Sequence, residues 1–211
     1  MVTLKVPLTS VGFVEREKEN GNTLSNKCGR DFLYYCLNFY FPETFNASKN
    51  NPREIDRERL FGIPVPAWLA WTQVQFSTLP RFLKTQGLEL SINHKKITSY
   101  VSFIYATLFS RVSYEDALQT VERAVSENVA CAIDIPIGTG GLMLLDHVMF
   151  VYGYDEENLY VFDTLQVARL EYERMDETVH YYKLPKKVIK KRWSRFGRVW
   201  EVKHRMYTLG I

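Results

Sequence analysis

Apolar residues recur at helical spacing along residues 28–40. Phe32, Cys36 and Phe39 form one face, with Leu33, Leu37 and Tyr40 beside it, the repeat of a helix buried on most sides. Asn26 precedes this run and offers a side-chain acceptor to the free N–H groups of a first turn. Pro42 lies where the helical ladder must stop. A second helix is expected from Ser113, which can cap it. Glu115 and Asp116 sit at its positive end, Ala117, Val121, Ala124 and Val125 make its buried stripe, and Asn128 ends it. Thr78 to Gln86 predicts a helix stopped by Gly87. Residues 95–110 are apolar without a clear phase and suit either a helix or a pair of strands. Pro185 to Phe196 predicts an amphipathic helix broken by Gly197.

Period-two and continuous apolar runs predict strands elsewhere. Val129 to Ile135 reads as a buried strand, with Cys131 as a core residue. Asp146 to Tyr154 and Leu159 to Thr164 read as a hairpin around the turn Asp155-Glu156-Glu157-Asn158. Further strands are expected at 168–174, 178–183 and 198–209, and a weak edge strand or hairpin at 2–6 and 11–15. Residues 16–26 and 42–53 are polar and turn-rich, hence loops. Residues 68–75 are mixed and give no assignment. The glycine-rich stretch Pro136 to Gly141 reads as a flap between strands, because it lacks the Gly-Lys-Ser/Thr ending of a phosphate-binding loop. With no internal repeat and no linker, residues 1–211 are expected to form a single α+β domain.

Composition narrows the class. A chain of 211 residues with 46% hydrophobic and 14% aromatic residues can bury a real core. No apolar run is long enough to span a bilayer, and the N-terminus lacks a secretory pattern. Asn46-Ala47-Ser48 matches a glycosylation acceptor that no secretion signal supports. The three cysteines have no close metal-ligand spacing, so neither a disulfide framework nor a zinc site is expected. A cytoplasmic setting without cofactor or metal follows. The net charge of +3 conceals residues 183–205, which hold ten Lys or Arg and one acid. Such a segment could meet an acidic partner, nucleic acid or an anionic membrane. Trp193, Phe196, Val199, Trp200 and Val202 interleave with the charges, so a packed and solvated face is the better reading and nucleic acid is not expected.

Candidate chemistry begins at Cys28, in the first turn of helix 28–40, where the helix dipole favours thiolate. The hairpin places His147 at the start of one strand and Asp163 at the end of the next, so the two are expected to be neighbours. Cysteine, histidine and acid in this order would form a triad: Cys28 as nucleophile, His147 as base and then acid, Asp163 orienting the imidazole. Asp146 and Asp134 are the next acids to consider. Asn22 and Asn26 are the amides available for an oxyanion site, and Asn26 is better explained as the helix cap. Each residue alone has a plainer reading: a core cysteine, a strand histidine, a turn-capping acid.

Cys28-Gly29 heading an apolar helix, with Leu33 following, resembles papain-like cysteine peptidases. His147-Val-Met-Phe-Val-Tyr-Gly153-Tyr154-Asp155, followed by Val161-Phe162-Asp163, is similar to the branch that trims double-glycine leader peptides from bacteriocins. The likeness covers residues 22–40 and 146–164. It implies a papain-like fold, a peptide or protein substrate, and cleavage of a peptide bond through an acyl-enzyme, with Asn22 in the oxyanion hole at the position where the family usually has Gln. Lys27 stands where an aspartate is common, and Asp163-Thr164 replaces the usual Asp-Pro. An acyltransferase of the same fold and a catalytically silent peptide-binding module are the alternatives.

Overall fold

The structure, a computed structural model, describes residues 1–4, 36–37, 39–41, 83–84, 86–136, 146–162, 173–174, 181–193 and 204–210. In chain order the elements are β1 (Val2–Thr3), α1 (helical residues within 36–40), β2 (Glu89–Ile92), β3 (Lys95–Lys96), α2 (Tyr100–Phe109), α3 (Tyr114–Ser126), β4 (Ala130–Pro136), β5 (Asp146–Tyr154), β6 (Asn158–Phe162), β7 (Glu173–Arg174), β8 (Tyr181–Pro185), α4 (Lys186–Trp193) and β9 (Met206–Gly210).

Local chemistry sets the helix ends. Ser113 accepts the Asp116 N–H at 3.0 Å and starts α3. Asn128, with φ of 60°, ends it: its N–H reaches the Val125 carbonyl and the Val129 N–H reaches that of Ala124. The same paired closure follows Leu83 and Lys84, where Gly87 has φ of 73° and Leu88 donates to the Leu83 carbonyl at 2.8 Å. Of the two alternatives for residues 95–110 the helix is present, preceded by one short strand that pairs outside the range. The two-residue strand β3 comes first, and α2 then opens on a reciprocal cap between Ser99 and Ser102. The turn joining β2 to β3 holds Asn93 and His94 at positive φ, a tight hairpin geometry that asparagine accepts readily. Asn93 is buried; it accepts the Met206 N–H at 2.9 Å and donates to the Ser110 carbonyl at 3.1 Å, tying the hairpin to β9 and α2.

The described strands form one sheet in the order β3-β2-β9-β4-β5-β6-β8-β7, with β1 paired to β5. Every pairing is antiparallel. The architecture is therefore α+β, an antiparallel sheet accompanied by few helices. Ala130 to Ile135 of β4 are all buried, and so is the whole of β6. A strand buried on both sides reads as a continuous apolar run, as β4 does. The Cys131 sulfur lies 3.8 Å from the Val121 carbonyl, so α3 covers the face that carries Cys131. β1 reaches β5 at Gly153, where a Cβ would stand 2.9 Å from the Val2 carbonyl oxygen and 3.0 Å from a Thr3 methyl. Only glycine admits that approach.

Candidate active site

His147 is the second residue of β5 and pairs with Ile135 of β4. Directly opposed residues share a face, and the face alternates along a strand. Ile133 with Met149 and Cys131 with Val151 thus line one face, and Asp134 with Val148 the other. Asp134 is committed elsewhere. Its Oδ2 accepts from Arg205 Nη1 at 2.7 Å and from the Tyr207 hydroxyl at 2.8 Å, all within the buried interior. Its Oδ1 is buried and has no hydrogen-bond partner among the described residues.

Cys28, Asn22 and Asp163 lie outside the described residues, as does Asn26. The hairpin that was to join His147 to Asp163 is present as β5 and β6, and its register is set by Phe150 opposite Phe162 and Val151 opposite Val161. A bulge follows between Val151 and Gly153. The turn is held by Asp155, whose Oδ1 accepts the N–H groups of Glu157 and Asn158 at 2.9 and 2.8 Å. Its Oδ2 accepts the Tyr160 hydroxyl at 2.6 Å. That hydroxyl, foremost, holds the Asp155 carboxyl down at about 2 against partial desolvation, with Asn158 and Glu157 adding to the effect.

The other thiols are ill-suited to nucleophilic work. Cys36 and Cys131 are both fully buried. Burial raises both thiols well above their ordinary value, and at Cys36 the neighbouring Cys131 adds to the rise. A buried thiol with a raised pKa stays protonated and inert. Of the remaining histidines, His94 is exposed and meets Asp116 at 3.1 Å. His204 is buried, donates from Nδ1 to the Val112 carbonyl at 3.1 Å, and packs edge-on to Tyr114. His180 is outside the described residues. Among the described residues no group of His, Cys, Asp and Glu is placed to hold a metal ion.

α1 docks on the sheet through Cys36, Leu37 and Phe39, which are buried. Tyr40 adds a polar contact: its hydroxyl donates to the Leu209 carbonyl and accepts the Ala130 N–H at 3.1 Å. Burial is the first cause of a Tyr40 pKa raised to about 12.

The basic segment finds acids within the chain. Lys186 Nζ meets Glu122 Oε1 at 2.6 Å, donates to the Asp155 and Glu156 carbonyls, and lies over the Tyr154 ring. Lys190 meets Glu115 at 2.8 Å and covers the Tyr114 ring, and the Tyr114 hydroxyl donates to the Lys186 carbonyl. The hydrogen bond from Lys190 is the main cause of a lowered Glu115 carboxyl. These contacts fasten α4 to α3 and to the β5–β6 turn, and Arg205 ties the residue before β9 to Asp134 of β4. Sequence reading missed this set. Its one visible trace was Asp134, a charge inside an otherwise apolar strand, which requires a buried partner.

Among the described residues no helix is long and apolar enough to cross a membrane. Comparison with known protein-family models gives no match, and comparison with curated proteins gives none either.

Proposed function

We propose that the chain is a papain-like thiol hydrolase that cleaves a peptide bond, with Cys28 as nucleophile, His147 as base and Asp163 as its orienting acid. The observation that carries the reading is the position of His147. It is the second residue of β5, a central strand whose neighbour β6 runs back antiparallel toward the same end of the sheet. The reading requires β6 to continue one residue beyond Phe162. At the observed register, position 163 would then oppose Met149 and stand diagonal to His147 on the same face. Diagonal neighbours lie about 7–8 Å apart, within reach of an imidazole and a carboxylate. This is looser than the directly opposed pair that hairpin length alone suggests. With Asp134 bonded to Arg205 and Tyr207, Asp163 is the acid of choice. Asn22 is proposed as the second oxyanion donor beside the Cys28 N–H.

The thiols themselves supply the test. Cys36 and Cys131 are buried and should label slowly, so fast alkylation by iodoacetamide at neutral pH is expected at Cys28 alone, located by peptide mass spectrometry. His147→Ala should slow it toward the rate of an ordinary thiol. Hydrolysis of a fluorogenic peptide ending in Gly-Gly should vanish in Cys28→Ala. Equal labelling of the three cysteines would remove the triad. Fast His147-dependent labelling without hydrolysis would transfer the reading to acyl transfer.

A further inference from the structure

We propose, independently of the hydrolase reading, that α2 is the contact through which two copies of this chain form a weak antiparallel dimer. Along Tyr100–Phe109 there is no charged residue, yet Val101, Tyr105 and Phe109 are 74%, 58% and 64% exposed. They stand four residues apart and so line one face of the helix. Ala106 is buried, so α2 docks on its own molecule by a different face. The Tyr105 and Phe109 rings lie 5.4 Å apart, tilted by 39°, and make a continuous aromatic surface. Three such side chains offer on the order of 400 Å² a copy, a patch of the size that often serves a contact.

The two ends of the stripe point to a second copy. Tyr105 is its midpoint, with Val101 four residues before and Phe109 four after. A two-fold axis at Tyr105 sets the small Val101 of one copy against the large Phe109 of the other, twice, and opposes the two helix dipoles. A parallel pair would leave Val101 against Val101 and crowd Phe109 against Phe109. The rim charges follow the same symmetry. Arg111, which is exposed, stands six residues after Tyr105, and Ser99 stands six before it. The β2–β3 ladder brings Glu89 beside that cap, since its neighbour Leu90 accepts the Ile97 N–H at 2.8 Å. Glu89 is half-exposed and meets Lys96; antiparallel pairing brings Arg111 of the other copy to the same carboxylate. With no charge inside the stripe, none has to be desolvated when the faces meet. A helix lying in an anionic membrane surface carries Lys or Arg along its polar face, and α2 carries neither. The stripe reaches about half of the roughly 800 Å² per partner of a standard interface, so the dimer is weak, with a Kd on the order of 100 µM.

The experiment is sedimentation velocity of the full chain from about 5 to 500 µM, either side of that Kd. Wild type should pass from monomer toward dimer across the range. Tyr105→Glu places two carboxylates at the axis and should raise the Kd roughly tenfold or more. Arg111→Glu and Glu89→Arg each set like charges together at both rims and should raise it roughly threefold. The double exchange restores opposite charges and should return the Kd to within about twofold of wild type. If Tyr105→Glu fails to fold, Phe109→Gln removes the large half of each contact and should weaken the dimer about tenfold. A chain that is monomeric at every concentration overturns the proposal, as does a dimer that neither Tyr105→Glu nor Phe109→Gln weakens. A double exchange no better than the single ones overturns the antiparallel arrangement. A monomer that floats with phosphatidylcholine–phosphatidylserine vesicles, and ceases to in Phe109→Gln, gives the face to a membrane and overturns the dimer.

Discussion

Asp134 carries a charge into the middle of the sheet, and Arg205 and Tyr207 meet it there. With the pair's side chains only 6% and 3% exposed, removing one partner strands the other in a medium that solvates it poorly. Asp134→Ala is therefore expected to cost about 3–5 kcal/mol by urea denaturation, while replacing both partners with apolar residues should cost less. Asp155 makes the opposite case, a carboxylate at the surface with its pKa lowered from 3.8 to about 2. A depressed folded-state value means the unfolded chain takes up protons first. The stabilisation is full above about pH 4 and is lost as the pH falls toward 2. Carboxyl NMR titration should find Asp155 near 2 in wild type and raised in Tyr160→Phe. At this scale the sequence was legible where context was local. Cys36 and Cys131 lie within apolar runs and are core. The partner of Asp134 stands 71 positions away, and nothing in the strand points to it.

Helix caps were the most legible elements, because Ser113, Gly87 and Asn128 act on backbone groups within a few residues. Residues 95–110 were not, since α2 has no charged residue and leaves Val101, Tyr105 and Phe109 exposed. Without a polar face there is no phase to read. β2 is only four residues long, too short to stand out. The basic helix α4 was legible as a helix, while its acidic surroundings on α3 and the β5–β6 turn were not. Its two lysines differ in worth. Lys186, 16% exposed, has a carboxylate and two carbonyls as acceptors; Lys190 is 61% exposed, so solvent screens its pair. Lys186→Met should cost about 1.5–3 kcal/mol in chemical denaturation, and Lys190→Met should leave the midpoint nearly unchanged.

For the molecule, alternation and turn chemistry yielded the class and the central hairpin, because both are written in neighbouring residues. The strand order was not legible. β9 pairs with β2 on one side and β4 on the other, a choice made by contacts across most of the chain. The proposed site shares that limit: His147 and the acid proposed for it belong to one hairpin, whereas the proposed nucleophile comes from a distant part of the sequence.

The place of β9 also bears on how the protein is made. Until residues 206–210 have been synthesised, β2 and β4 cannot be joined through β9, and each presents an unpaired edge, that of β4 on a largely apolar strand. Such edges recruit other chains, and pairings of long sequence separation close slowly. From the completion of β5 onward the growing polypeptide holds two half-sheets waiting for one late strand, and a ribosome that stalls before that strand leaves both edges open to neighbours.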